Sequence, residues 1–284
     1  IKECKFMCNK LVSVCVPSYN QGLFIKEAID SALNQTYPNI EIIIVDDCSN
    51  DDTWNIISSY DDSRINKYQN VDNIGMIANY KKVLALAKGE YFTFLCGDDV
   101  LDSNSIEVQI KLLEENKKAA FSYGLVRRIG DLDDVSKIHH DSKLLAGKYC
   151  ELSLSLAQNL NYQIGTLVRK KMLPKIPISN LLYFDWFLWL QMGLLNEVMS
   201  IDTVVGYYRR HGNATTLKAN KNLYKDDYNN LDLVLSEFSN QYEKKDLIYK
   251  ARKKLVKRYM RITLRNNFLK NSDILFFVRK YFQF

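Results

Sequence analysis

The run IEIIIVDD at residues 40–47 constrains this chain more than any other feature. Ile42 to Val45 are consecutively apolar and β-branched, without the alternation of a strand that keeps one face in water. Such a run predicts a strand covered on both faces, the usual situation in a parallel sheet flanked by helices. The flanking segments agree. LVSVCVP reads as a strand, and LFIKEAIDSALNQ (23–35) as a helix with Phe24, Ala28, Ile29 and Ala32 at helical spacing. A helix starting near Asp51 or Asp52, a short strand INKYQN, a helix MIANYKKVLALAK ended by Gly89, and a strand at Tyr91–Leu95 follow. Strands and helices in alternation predict an α/β layer with a mostly parallel sheet.

Ligands of such sheets sit beyond the carboxyl ends of the strands. Three polar clusters fall there: Pro17-Ser18-Tyr19-Asn20, Asp46-Asp47 and Asp98-Asp99. Asp102 and Ser103 are placed to cap the next helix, NSIEVQIKLLEEN, which leaves Asp98 and Asp99 for other work. Paired carboxylates at a sheet edge suit Mg²⁺ or Mn²⁺, with a capping or turn role as the alternative. No GxxxxGK[ST] and no GxGxxG occurs, which disfavours P-loop and dinucleotide folds.

Further along, AAFSYGLVRRI and QIGTLVRK read as strands, GDLDDVSKIHHDSKLLAGK as a flexible polar loop, and FDWFLWLQMGLL as an aromatic-rich helix. VMSIDTVVGYYRRH is a strand entering a basic turn, and the chain beyond GNATTLKAN reads as helical. Trp186 and Trp189 either stack on a sugar or, at i and i+3, pack in a core. The 284 residues start without Met or a signal-peptide core, as expected of a trimmed chain. Six cysteines without metal spacing read as free thiols, with Cys15, Cys48 and Cys96 near apolar runs, so a reducing cytoplasm fits. The net charge of +6 is uneven: residues 243–284 carry 13 Lys and Arg against three acids, a net +10, leaving −4 for the rest. The basic character belongs to the tail alone, which disfavours a nucleic-acid reading of the whole protein, and no nucleic-acid partner is expected.

VSVCVPSYN, then IEIIIVDDCSNDDT, then NVDNIGMIANYKKVLALAKGEYFTFLCGDD resemble, in order and spacing, the nucleotide-sugar half of family 2 glycosyltransferases with the GT-A fold. The resemblance is strong over residues 11–100 and weaker to about 215. It implies a GT-A domain at 1–215, with 11–100 for the nucleotide-sugar and 101–215 for the acceptor, followed by a basic helical region at 216–284. It further implies that Pro17 and Tyr19 line the nucleobase pocket and that Asp47 accepts the uracil N3–H. Asn73, Gly75 and Asn79 would shape the wall beside base and ribose, with a plain turn and helix start as the alternative. Asp98 would reach the ribose or donor sugar and share the metal with Asp99, which holds it on the diphosphate. Gly97-Asp98-Asp99 departs from the commoner DxD spelling, leaving the division of labour between the two acids open.

For an inverting transfer the resemblance points to Asp185 as general base, a lone acid where relatives often have two; a helix N-cap is its alternative role. Arg209, Arg210 and His211 match a basic turn that closes over the diphosphate, with Arg210 as the arginine facing solvent. Leu247, Ala251, Leu255, Tyr259 and Ile262 form an amphipathic stripe, which either packs on the protein or lies on an anionic membrane. The implied enzyme moves a sugar from a UDP-sugar to a glycan or lipid-linked saccharide, peripherally at the inner face of the cell membrane. The alternatives are a nucleotide-sugar binding module without turnover and a membrane scaffold.

Overall fold

The computed structural model describes residues 9–130, 138–139, 163–174, 184–212, 228–229, 232–233, 235–236, 245–265, 276 and 280. Contacts divide the chain into two compact units. The first comprises 1–147, 161–173 and 196–211, and the second 148–160, 174–195 and 212–284. Residues 184–195 thus group with the C-terminal residues rather than with their neighbours in sequence.

The first unit is built on one sheet. Its strands are β1 (Val12–Ser18), β2 (Ile40–Asp46), β3 (Ile65–Gln69), β4 (Tyr91–Phe94), β5 (Val100–Leu101), β6 (Ala119–Ile129), β7 (Ile138–His139), β8 (Thr166–Arg169) and β9 (Glu197–Arg209). They lie in the order β3-β2-β1-β4-β8-β6-β9-β5, with β7 beside β6. β1 pairs in parallel with β2 and β4, and β2 with β3. Every residue of β1, β2 and β4 is buried, as the two-sided apolar pattern predicts, whereas β3 is partly exposed at the sheet edge. β8 then enters antiparallel to both β4 and β6, and β6 and β9 run parallel.

Among the described residues four helices flank this sheet: α1 (Ile25–Leu33), α2 (Thr53–Ser58), α3 (Met76–Leu86) and α4 (Ser105–Glu115). α1 buries Ile25, Ala28, Ile29 and Ala32. The stripe therefore starts at Ile25, not Phe24. Phe24 is the N-cap residue, only half buried, and its ring turns to the Arg209 guanidinium and the His211 ring. Asp52 precedes α2 as its N-cap residue, as expected. α4 is preceded by Asn104 rather than by Asp102 or Ser103; the Asp102 carboxylate instead accepts the Asn104 N–H at 3.3 Å and the Tyr207 hydroxyl at 3.1 Å.

One buried acid sits inside the apolar layer. Glu41 Oε1 accepts the Ser13 hydroxyl at 2.6 Å and the Lys88 and Gly89 N–H groups at 2.6 and 3.1 Å. This satisfies the carboxylate and ties β1 and β2 to the turn before β4. The thiol of Cys15 is buried nearby and free, pushed far up by burial and by Glu41. Cys48 and Cys96 are half-buried thiols outside any disulfide among the described residues.

In the second unit, α5 (Phe184–Leu195) buries Trp186, Phe187, Leu188, Trp189, Leu190 and Met192. Both tryptophans are core residues. α6 (Lys245–Arg265) buries Ile248, Ala251, Leu255, Val256 and Tyr259. Of the stripe read from sequence, Ala251, Leu255 and Tyr259 are buried and Leu247 is half buried, which favours the packing role for this face, and the Ile262 side chain lies outside the described residues. Tyr228 packs edge-on against Tyr259 and Phe276, and Arg258 lies 5.5 Å from the Trp186 ring centroid. Among the described residues no helix is long and apolar enough to cross a membrane. The polar loop expected at 130–148 lies outside the described residues, except Gly130 and β7.

Candidate active site

Because β2, β1 and β4 are parallel neighbours, their carboxyl ends open onto one edge. The loops leaving them are laced together there. Asn20, with φ 51°, donates its N–H to Ser49 Oγ at 2.9 Å and accepts the Asn50 N–H at 2.8 Å. The Gln21 N–H reaches Thr53 Oγ1 and the Gly22 N–H reaches Asp51. Pro17 is buried at the end of β1, while Tyr19 is 43% exposed on the loop.

Asp46 and Asp47, adjacent in sequence, do different work. Asp46 holds its own turn, accepting the Ser49 N–H and hydroxyl and the Gln69 amide. Asp47 holds the loop before α3. Its Oδ1 accepts Asn70 Nδ2 at 2.7 Å and the Ile74 N–H at 2.9 Å, and its Oδ2 accepts the Gly75 N–H at 2.9 Å. Asn73 donates to the Asp47 carbonyl at 3.2 Å. Asn79 donates to the Val45 carbonyl at 2.9 Å and accepts from Asn70 at 3.3 Å. Asp47, Asn73, Gly75 and Asn79 are thus brought into one network. Asn70, buried at its centre, was not singled out from sequence; its position one residue past a strand end was the available signal.

The second focus is the turn after β4. Gly97 leaves room for its neighbours there: a Cβ would lie 2.1 Å from Gln21 Oε1 and 2.8 Å from Ile25 Cδ1, so both side-chain ends would have to shift. The turn closes with the Asp99 N–H on the Cys96 carbonyl at 3.0 Å. From the end of β9, the Arg209 N–H donates to Asp99 Oδ1 at 2.8 Å, and Arg209 Nε to the Asp98 carbonyl at 2.8 Å. The guanidinium also pairs with Glu27 of α1 and lies 5.1 Å from the Phe24 ring centroid. His211 Nε2 stands 3.0 Å from Asp98 Oδ2, its ring against Phe24 at 4.7 Å. Arg209 and His211 therefore meet the acids, while the Arg210 N–H joins the Ile129 carbonyl at 2.9 Å. Glu27 and Phe24 escaped sequence reasoning because both belong to a helix start that reads as ordinary amphipathic pattern.

Asp99 is only 2% exposed. Burial, then the neighbouring Asp98, pushes its carboxyl well above the usual range, against the opposing Arg209 N–H. Two carboxylates crowded in this way favour a bound cation. One oxygen each of Asp98 and Asp99 and the Cys96 sulfur lie within 4.8 Å of one another. The donor set, two hard carboxylates with one thiol beside them, fits a divalent ion. The Tyr80 hydroxyl lies 3.0 Å from the Cys96 sulfur and 3.0 Å from Gln163 Oε1. Asp185 belongs to the second unit, half buried in the first turn of α5.

The sequence profile described as glycosyl transferase family 2 matches residues 13–176. An Escherichia coli protein, UDP-Glc:alpha-D-GlcNAc-diphosphoundecaprenol beta-1,3-glucosyltransferase WfaP, is 34% identical over 218 residues, covering 75% of this chain and 81% of that one. An uncharacterized glycosyltransferase of Rickettsia typhi is 46% identical over 105 residues, of which the chain spans only 32% of the relative's length. Among solved structures, S. aureus TarS 1-349 in complex with UDP-GlcNAc aligns with a TM-score of 0.68 at 18% identity, covering 91% of this chain and 75% of that one. With these likenesses beside its strand order and its acids, the chain has the GT-A fold and belongs to glycosyl transferase family 2.

Proposed function

We propose that this chain transfers a sugar, with inversion, from a UDP-sugar to a hydroxyl of a glycan or lipid-linked saccharide. The observation that carries the reading is the pair Asp98-Asp99, one member buried and crowded, on the same sheet edge as the Asp47 network. Asp47 accepts three hydrogen bonds, two on Oδ1 and one on Oδ2. A carboxylate has about four acceptor sites, so Oδ2 keeps one for a uracil N3–H, beside Tyr19 and Pro17. Asn73, Gly75 and Asn79 act by holding Asp47 and its loop in place. The carboxylates of Asp98 and Asp99 would hold Mn²⁺ or Mg²⁺, which neutralises charge on a diphosphate leaving group. Arg209, already fixed on these acids, adds positive charge and N–H donors at the same place, and the His211 ring stands beside it on Asp98.

Transfer forms a bond from the acceptor oxygen to the anomeric carbon as the bond from that carbon to the phosphate oxygen breaks. UDP leaves with the bonding pair, and the hydroxyl proton passes to a base. We assign that base to Asp185. The division into a donor half (11–100), an acceptor half (101–215) and a basic helical region (216–284) goes with this reading. The relative WfaP is named for a diphosphoundecaprenol acceptor. A lipid-linked saccharide is accordingly the acceptor class proposed here, met peripherally at the cytoplasmic face of the membrane.

Nucleotide release from UDP-sugars, followed with Mn²⁺ and with EDTA, tests the reading, with the product's anomeric configuration read by NMR. Full activity in EDTA removes the metal, and a retained configuration removes inversion. Asp185→Asn keeps side-chain size and removes the basic oxygen. It should lower transfer by ~10²-fold or more with donor affinity nearly unchanged. Near-normal transfer would remove Asp185 as the base.

A further inference from the structure

The strand order lays out the site in sequence across the sheet edge. The Asp47 network stands at the ends of β2 and β3, the acid pair follows β4, and the next strand is β8. β8 runs antiparallel to β4, with Thr93 opposite Leu167, so the start of β8 lies at the edge where β4 ends. The residue delivered there is Gln163, two positions before the glycine that turns the chain into the strand.

Gln163 is held firmly. Its Oε1 accepts the Tyr80 hydroxyl at 3.0 Å and lies 3.8 Å from the Cys96 sulfur. Gly165 follows with φ 77°, and a Cβ there would meet Val205 at 2.6 Å, so the turn admits little else. Ile164 is buried between them. The other end of the amide is unspent. Among the described residues Gln163 Nε2 is buried without a hydrogen-bond partner, a donor left to be satisfied when an acceptor arrives. The residue as a whole is half buried, so the amide is not sealed inside the core.

We propose that Gln163 is a specificity-determining residue that donates a hydrogen bond from Nε2 to a hydroxyl oxygen of the donor sugar. This rests on the UDP-sugar reading above. A donor with its uracil at Asp47 and its diphosphate at Asp98-Asp99 carries its sugar next in line, toward β8. With Oε1 committed to Tyr80, the amide can act there only as a donor. A neutral N–H suits a hydroxyl oxygen, whereas the diphosphate meets the Arg209 guanidinium. Tyr80 is the positioning residue, because it fixes which end of the amide faces the ligand.

Calorimetry on the full chain with Mn²⁺, using UDP, UDP-glucose and UDP-GlcNAc, tests this. In Gln163→Met the ratio of UDP-sugar Kd to UDP Kd should rise about tenfold for the preferred sugar, the scale of one lost hydrogen bond in a buried site, with UDP itself within about threefold. Tyr80→Phe keeps the amide but frees its orientation, and the same ratio should rise less, by severalfold. If Gln163→Met leaves the ratio within twofold, or weakens UDP and both UDP-sugars equally, the proposal is overturned and Gln163 is a packing or phosphate-side residue. If the unaltered chain binds none of the three nucleotides, the donor reading itself fails and this proposal falls with it.

Discussion

Asp47 and Asp99 are both about 2% exposed, yet their surroundings differ in kind. Asp47 is surrounded by donors; Asp99 has one backbone N–H and a like charge beside it. Asp99→Asn removes the crowding as well as a cation ligand. The variant should lose the Mn²⁺ dependence of UDP affinity and its turnover, while its metal-free melting temperature stays equal or rises by a few degrees. A lower melting temperature in the absence of metal would show that Asp99 is needed for folding rather than for the cation. Gly97 has the opposite character, since nothing about it is chemical. Gly97→Ala should cost about 1–3 kcal/mol through the clash with Gln21 and Ile25, lowering the melting temperature by several degrees, and should displace the acids it precedes. A melting curve like that of the unaltered chain would show that the β1–α1 loop can retreat freely.

At the scale of elements, the end of α4 shows how β8 is tied into the sheet. Arg169 of β8, 6% exposed, donates to the carbonyls of Leu113 at 2.7 Å and Ala119 at 3.2 Å, supplying partners at a helix C-terminus. It also meets the Tyr91 hydroxyl and Glu114, and Tyr91 donates to Glu114. Burial raises the Glu114 pKa, but hydrogen bonds from Lys117, Tyr91 and Arg169 outweigh it and hold the group at about 2, against an ordinary 4.5. A depressed carboxyl stabilises the fold above its unfolded pKa, and that contribution disappears as pH falls from about 4.5 toward about 2. Glu114→Gln should therefore melt lower than the unaltered chain at pH 6, and its stability should fall less steeply below pH 4.5. Parallel pH profiles for the two would show that the network carries no linkage.

For the whole molecule, the C-terminal charge finds a definite place on α6. Lys250, Lys254, Lys257 and Arg261 are exposed and, at i, i+4, i+7 and i+11, share one face, while the apolar face is buried. Membrane attachment, if this helix supplies it, is then electrostatic at a surface and not insertion. Each basic residue near an anionic leaflet contributes about 1 kcal/mol. The double variant Lys250→Glu/Arg261→Glu should weaken binding to phosphatidylserine vesicles by tenfold or more without unfolding, and rising salt should do the same to the unaltered chain. Vesicle binding that ignores both the variant and salt would assign the charge to another partner. Deleting the segment is the poorer test, because Ile248, Leu255, Val256 and Tyr259 would leave a core.

The sequence by itself determined the strands whose signal is local. The apolar runs of β1, β2 and β4 need cover on both faces whatever lies around them, and acids at their ends mark the ligand edge. That is why the placement of Asp47, Asp98 and Asp99 at one sheet edge was legible from the sequence. Arg209 and His211 were legible only through the resemblance. Their pairing with acids more than a hundred residues away depends on β9 and β5 sharing a sheet. Tertiary structure alone decided that Phe24 leaves the helix stripe for the site, that Asn70 centres the Asp47 network, and that Gln163 arrives beside Cys96. Each of these follows from strand order and close approach between distant segments. Spacing along a chain reports the faces of one element and carries no information on which elements become neighbours.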